Sequence, residues 1–478
     1  MRLTSVRNRN LSLWQSAVGE VATKFLQDNP KLRAAMQQAA AFHAAAVAKG
    51  IDVPPPAQDV ATVAQELSAS NPQTLAYVSK LVFDVARAYQ TRDVGGEVAA
   101  MGRLKDFLTR HYATFDLFGW IQCVWRYLEY YVAAHSMPPY VDWAQQSPPD
   151  INFGVIEYRL PSRCRILLLG DWGTHMTDNV AMLRQGLKTF KPDVIVHLGD
   201  VYYSGTKFEC VQNVLDVMDA LVAELGITRP PFFTIPGNHE YYSGGAGFYE
   251  MIALLNPGLA GCLQRASYFC LRTQDDSWQF LGMDTGYNDR DPVNPAAPGL
   301  QTSEIKWHRD KLDKFRGSTI LLSHHQLLSA HDKLSDGTTG YLNENLAMTF
   351  KPYFDRVAAW YWGHEHNFVV FEDGQFGLRK GRLIGCSAYE ETSGEDPYEI
   401  KFPAVSYAPE MRQLNLSPYQ GDLEQYYNHA MAVLDVAPDK IDVAYYQYPS
   451  WDSDFVPPHA DEPTLLLKET VPRTPPRP

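Results

Sequence analysis

The sequence predicts an α/β protein led by an all-helical region. Short apolar runs ending in glycine recur between residues 165 and 363, and helical patterns separate several of them. The stretch before them is alanine-rich and lacks such runs. Residues 11 to about 135 read as helices: Asn29-Pro30 and Asn71-Pro72 each place an N-cap residue before a proline at the first helical position. Leu75, Val78, Leu81, Val82 and Val85 then recur at helical spacing. Gly50, Pro54-Pro55-Pro56 and Gly95-Gly96 divide this region into about five or six helices.

Pro138-Pro139 and Pro148-Pro149 mark a linker, after which the pattern changes. The apolar runs are Arg165–Gly170, Val194–Gly199, Phe232–Gly237, Trp278–Gly282, Ile320–Ser323 and Ala358–Gly363, with helical patterns over 178–189, 206–224 and 303–315. Residues 388 to 428 are polar and tyrosine-rich (Tyr389, Tyr398, Tyr407, Tyr419, Tyr426), and such long loops are usually functional or disordered. A last strand-like run covers 430 to 447, ahead of a proline-rich tail read as an ordered arm or disorder. The expected domains are a helical domain over 1–136, a proline-containing linker and leading strand over 137–162, an α/β domain over 163–450, and the tail over 451–478.

Composition narrows the classes. Hydrophobic residues at 45% and charged residues at 20% exclude a wholly disordered chain. A formal net charge of −13 argues against binding nucleic acid through its phosphates. The six cysteines show no CxxC spacing, which argues against a disulfide scaffold or a thiolate zinc site. Residues Met1 to Asn10 carry positive charge without the apolar core of a signal peptide, so the expected address is the cytosol, with a dedicated export route left open. Phe115 to Ala134 carries Asp116, Arg126 and Glu129 and reads as a buried or half-buried helix; membrane contact is not expected.

The chemistry lies in the residues just past the runs. Gly170-Asp171-Trp172-Gly173 closes the first, Gly199-Asp200-Val201-Tyr202-Tyr203 the second and Gly237-Asn238-His239-Glu240 the third. The fifth leads into His324-His325-Gln326 and the sixth into Gly363-His364-Glu365-His366. Ligands of open α/β sheets bind beyond the carboxyl ends of the strands. Carboxylate, amide, phenol and imidazole donors at one rim suit first-row metals, and these are enough for two ions.

The ordered set Gly-Asp, Gly-Asp-x-x-Tyr, Gly-Asn-His-Glu, His, Gly-His-x-His resembles the calcineurin-like metallophosphoesterases. Gly173 with Tyr203 three residues after Asp200 is similar to the purple acid phosphatase branch. The resemblance covers about residues 163 to 390 and implies a four-layer α/β/β/α sandwich of two mixed sheets. It implies a first metal held by Asp171, Tyr203 and His366, a second held by Asn238, His324 and His364, and Asp200 bridging both. The expected cofactors are Fe(III) with a divalent Fe, Zn or Mn; in a reducing cytosol Zn or Mn occupancy stays open. His239 is the expected catalytic residue, over the phosphate rather than on a metal. His175, His325 and His331 are candidate substrate contacts, Glu240 a supporting residue, and His308 a surface residue.

The implied activity is hydrolysis of phosphoric esters by attack of a metal-bridging hydroxide, phosphomonoesters ahead of diesters of nucleotides or lipids. The reading from another class is a docking protein whose helical domain engages a protein partner or a membrane.

Overall fold

The computed structural model describes residues 139–175, 177–289, 298–329, 342–388, 406–407, 411–415, 423–448 and 462–475. The region expected to form the helical domain, 1–136, lies outside the described residues, as does His331.

Two mixed sheets face one another. The first runs β16-β15-β14-β2-β3-β4, made of Thr464–Pro472, Lys440–Tyr448, His429–Val436, Cys164–Leu169, Val194–His197 and Phe232–Thr234. The second runs β1-β5-β6-β7-β8-β10-β9-β11, made of Val155–Leu160, Phe269–Thr273, Trp278–Gly282, Ser318–Ser323, Val357–Trp362, Gly381–Ile384, Phe368–Val370 and Ser406–Tyr407. Within the first sheet β2, β3 and β4 are parallel, and so are β6, β7 and β8 within the second. Met411–Asn415 (β12) and Leu423–Tyr427 (β13) form a separate antiparallel pair inside the tyrosine-rich segment.

The apolar runs are continuous because both faces of these strands are buried. Along β2, Ile166 and Leu168 point between the sheets, where they meet Phe233, Phe280, Ile320 and Leu322. Leu167 and Leu169 point the other way, onto Met182 and Leu187 of α1 (Thr177–Phe190) and Met218 and Leu221 of α3 (Asp216–Leu225). On the far side, Leu281, Leu321, Trp360 and Trp362 meet Trp307 and Leu312 of α6 (Thr302–Lys314) and Leu346 and Phe350 of α7 (Glu344–Phe350). Helices therefore pack on both outer faces. Each buried Leu, Ile or Phe in these layers contributes on the order of 2 kcal/mol of transfer free energy. No helix among the described residues is long and apolar enough to cross a membrane.

The run read over 430–447 is a hairpin, β14 and β15. β16 falls in the predicted tail, yet it pairs with β15 from Lys440↔Pro472 to Gln447↔Thr464. Its Glu469 accepts from Arg382 Nε (2.7 Å) and Nη2 (2.5 Å), a guanidinium only 1% exposed that lies on β10 of the other sheet. Desolvation is the largest influence on Glu469 and opposes its ionisation, but the hydrogen bond and charge of Arg382, with the hydrogen bonds from Tyr445 and Lys380, together outweigh it and pull the carboxyl down to about 2. Glu469→Ala should lower unfolding free energy by about 3–5 kcal/mol, the range for stripping one partner from a buried pair. Asp373, 3.1 Å from Arg382 Nη2, favours the lower end of that range. Denaturant titration checks this, and a change under about 1 kcal/mol would show that the pair is not a buried one in energetic terms.

Candidate metal centre

The site lies where the carboxyl ends of both parallel sets open onto one rim. β2 and β3 deliver Asp171 and Asp200, and the chain after β4 delivers Asn238 and His239 from the first sheet; β7 and β8 deliver His324, His364 and His366 from the second. All of these are buried. Asp171 (φ 59°), Asp200 (φ 71°) and His364 (φ 74°) hold left-handed backbone, which costs a non-glycine residue about 1–3 kcal/mol and clusters at functional sites. Two glycines make the close approach possible. A Cβ at Gly237 would overlap Asp200 Oδ1, and one at Gly363 would overlap Asp171 Oδ2.

The donors form two clusters that share one carboxylate. In the first, Asp171, Asp200 and His366 converge, and the hydroxyl between them is that of Tyr202. Tyr202 Oη lies 3.1 Å from Asp171 Oδ1, 3.2 Å from Asp200 Oδ2 and 2.8 Å from His366 Nε2. Tyr203, expected in that place, is buried beside it; its N–H donates to Glu209 (2.7 Å) and its carbonyl accepts from His239 Nδ1 (2.6 Å). In the second, His324 Nε2 lies 3.1 Å from Asn238 Oδ1, 3.2 Å from His364 Nδ1 and 3.4 Å from Asp200 Oδ1. Asp200 thus turns Oδ2 to one cluster and Oδ1 to the other.

The residues present fit metal ions. His324 Nδ1 donates to the Leu198 carbonyl (3.1 Å) and the Asn238 amide donates to Tyr242 Oη (2.6 Å), so both hydrogens point away from the second cluster and electron pairs point in. Desolvation pushes Asp171, Asp200 and Glu240 upward and His324, His364 and His366 downward. The partners of the three carboxyls are tyrosine, histidine and backbone amides, with no lysine or arginine among the described residues. Anions buried this deeply require compensating charge, and cations at the two clusters would supply it.

Supporting contacts are equally specific. Glu240 accepts from the N–H of Gly237 (2.9 Å) and of Asp200 (3.3 Å), fastening two motif loops together as a supporting residue should. Glu209 closes a capping box with Thr206 and holds the Tyr203 loop from beneath. The Thr206-x-x-Glu209 spacing announces it in the sequence. His197, driven down to about 3 by burial, sits behind Asp171 and accepts from the N–H of Trp172 (3.2 Å).

The other expected residues fall in different places. His175 is exposed, in left-handed backbone (φ 61°), and belongs to neither cluster. His325 is buried and its ring is engaged by protein groups on both nitrogens, not open toward a substrate. His308 is fully buried rather than on the surface; it meets Glu304 Oε1 at 3.1 Å. Glu304 is raised to about 8 and its neighbour Asp284 to about 7, both chiefly by desolvation. Asp284 accepts from Tyr241 Oη (2.5 Å) in α4 (His239–Tyr242), which braces the His239 turn. Asp284 and Thr285 follow the fourth apolar run, whose end is the one not singled out by the motif pattern.

Residues 164–368 match the family model described as calcineurin-like phosphoesterase, and every metal-ligand candidate lies inside that span. No curated protein matches the sequence. Among solved structures, the chain is similar to GAP50, the anchor in the inner membrane complex of Plasmodium, at 14% identity and TM-score 0.41, covering 65% of this chain and 89% of that one. It is also similar to a dimetal phosphatase from Danio rerio (11% identity, TM-score 0.37, 65% and 98% covered). Vacuolar protein sorting 29 from Cryptosporidium parvum is a third such structure (12% identity, TM-score 0.30, 65% and 98% covered).

Proposed function

We propose that residues 163–450 form a dinuclear metal hydrolase of phosphoric esters, phosphomonoesters ahead of diesters. The observation that carries this is Asp200, whose two carboxylate oxygens face two separate donor clusters. The calcineurin-like phosphoesterase match over the same residues supports it. Asp171, His366 and a tyrosine would hold one ion; Asn238, His324 and His364 would hold the other. A bound metal pair supplies Lewis acidity and a water made nucleophilic at neutral pH. The chain's own residues then do the rest. Glu240 fixes the loops that aim Asp200 and Asn238, and His239 offers Nε2 toward the reacting group. Because its Nδ1 hydrogen is held by the Tyr203 carbonyl, Nε2 is the atom that takes up a proton and, once protonated, can pass it to a leaving oxygen or offset that oxygen's growing charge.

Metal analysis of the purified protein, paired with rates on an aryl phosphate monoester and the matching diester, tests the reading. Two equivalents of metal, loss of rate on chelation and a faster monoester are expected. Full activity after complete removal of metal would overturn it.

A phenol beside two carboxylates and an imidazole is a hard donor set that favours Fe(III) with a divalent partner. The family resemblance makes Tyr203 the phenolate; the hydroxyl contacts favour Tyr202. Iron-loaded, oxidised protein should be violet through phenolate-to-iron charge transfer. Only one of Tyr202→Phe and Tyr203→Phe should bleach it, and that residue is the ligand. Colourless protein with Fe(III) bound, or colour that survives both substitutions, would reject tyrosinate ligation.

A further inference from the structure

We infer that His325 is a positioning residue: clamped by Thr285 and Asp289, it braces the ring of His364 and so sets the aim of the second metal cluster. This rests on the two-metal reading proposed for the site. His324, His325 and His364 offer ring nitrogens within 4.8 Å of one another, so His325 has two rival roles, as a third imidazole ligand or as a substrate contact.

Its hydrogen bonds exclude both. His325 Nε2 lies 3.1 Å from Asp289 Oδ2, and a carboxylate only accepts, so Nε2 carries the hydrogen. Nδ1, 2.9 Å from Thr285 Oγ1, is then the acceptor of the threonine hydroxyl. That hydroxyl oxygen in turn accepts from the backbone N–H of His325 (3.0 Å). In the neutral ring this placement of protons satisfies all three bonds, and in a protonated ring Nδ1 would donate to Thr285 Oγ1 instead; either way no lone pair is left for a metal and no N–H for a phosphate.

The ring face is what His325 has to offer. Its centroid lies 4.3 Å from that of His364, with 42° between the planes, and 4.9 Å from that of His324, edge to face. His364 stands on left-handed backbone straight after Gly363, its N–H donating to Asp171 Oδ2 (2.9 Å), and the ring of His325 is one of the groups its own ring rests on. Thr285 and Asp289 belong to the turn after β6, whereas His325 follows β7 and His364 follows β8. The clamp therefore ties three adjacent strand ends around one imidazole. Residues behind a metal ligand typically change affinity by about 10–100-fold when removed.

The test is cobalt(II) titration of the metal-stripped full chain, read by visible absorption, with turnover measured alongside. In His325→Ala the second equivalent should bind about 10–100-fold more weakly, the first should be unchanged, and kcat should return to within a few-fold of wild type at saturating metal. Asp289→Ala should shift the second equivalent the same way, and Asp289→Asn, which still accepts from Nε2–H, should restore it. Unchanged affinities with a lost kcat would make His325 a substrate contact and overturn the inference. A second equivalent lost as completely as in His364→Ala would make it a ligand and overturn it too. Should His325→Ala fail to fold by circular dichroism, the Asp289 pair carries the same comparison. Wild-type protein that takes up no second equivalent would instead refute the two-metal reading itself.

Discussion

Asp200→Asn is expected to cut ester hydrolysis by more than about 10³-fold, the scale of losing a principal electrostatic stabiliser. The substitution is nearly isosteric. Asp200 holds φ 71°, a left-handed conformation that asparagine adopts readily, so the backbone supplies no reason for a loss. With the amide oxygen in the Oδ1 position, the bond from the His239 N–H (3.3 Å) is kept. What changes is charge. An amide cannot present an anionic oxygen to each of two clusters, and its nitrogen would turn hydrogens toward either Tyr202 and Asp171 or His324 and Asn238. Metal content should fall together with rate. The metal-free variant should be at least as stable as metal-free wild type, because burial already disfavours the ionised Asp200 carboxyl. Near-normal turnover with two metals bound would remove Asp200 from the bridging role and take the dinuclear assignment with it.

Much of this site was readable because each donor sits one step past an apolar run. A strand buried on both faces reads as an unbroken apolar stretch, and its end is where the chain can turn polar groups toward a ligand. Asp171, Asp200, Asn238, His324, His364 and His366 all obey that logic. Spacing counts residues but does not say where a turn aims them, which is why Tyr202 and Tyr203 could not be told apart by position alone. Thr285 and Asp289 follow a strand whose end carries neither a Gly-Asp nor a histidine signal, so their grip on His325 was visible only in three dimensions. β16 was hidden for another reason. As an edge strand its side chains alternate poorly between buried and exposed, and prolines flank it, so the period that marks a strand is weak. His308 misled through its neighbours, since Lys311 and Asp313 suggest a solvated face. Lys311 is itself buried: its Nζ donates to the Ile151 carbonyl and Asn152 Oδ1, so the segment before β1 covers that side of α6.

His239→Ala should leave both metals in place yet slow hydrolysis by roughly 10²–10⁴-fold, the usual worth of a positioned acid. Its ring is fully buried and packs between Tyr202 (4.6 Å between centroids) and Tyr242 (4.9 Å). Nδ1 is fixed on the Tyr203 carbonyl, and Nε2 lies 3.8 Å from Asp200 Oδ2, close to the shared carboxylate but beyond hydrogen-bond distance of it. That separation sets His239 apart from the ligand candidates, whose donor atoms stand within about 3.5 Å of a neighbouring donor. A group so placed can protonate a departing oxygen or offset its growing charge. The size of the loss should therefore track the leaving group: largest for an alkyl phosphate, whose alkoxide needs a proton, and small for a nitrophenyl ester, whose phenolate departs without one. Equal losses on both esters would point to substrate positioning instead, since positioning does not depend on the basicity of what leaves. A variant that lost metal in proportion to rate would place His239 in the coordination sphere, and the division of labour between His239 and the clusters around Asp200 would have to be redrawn.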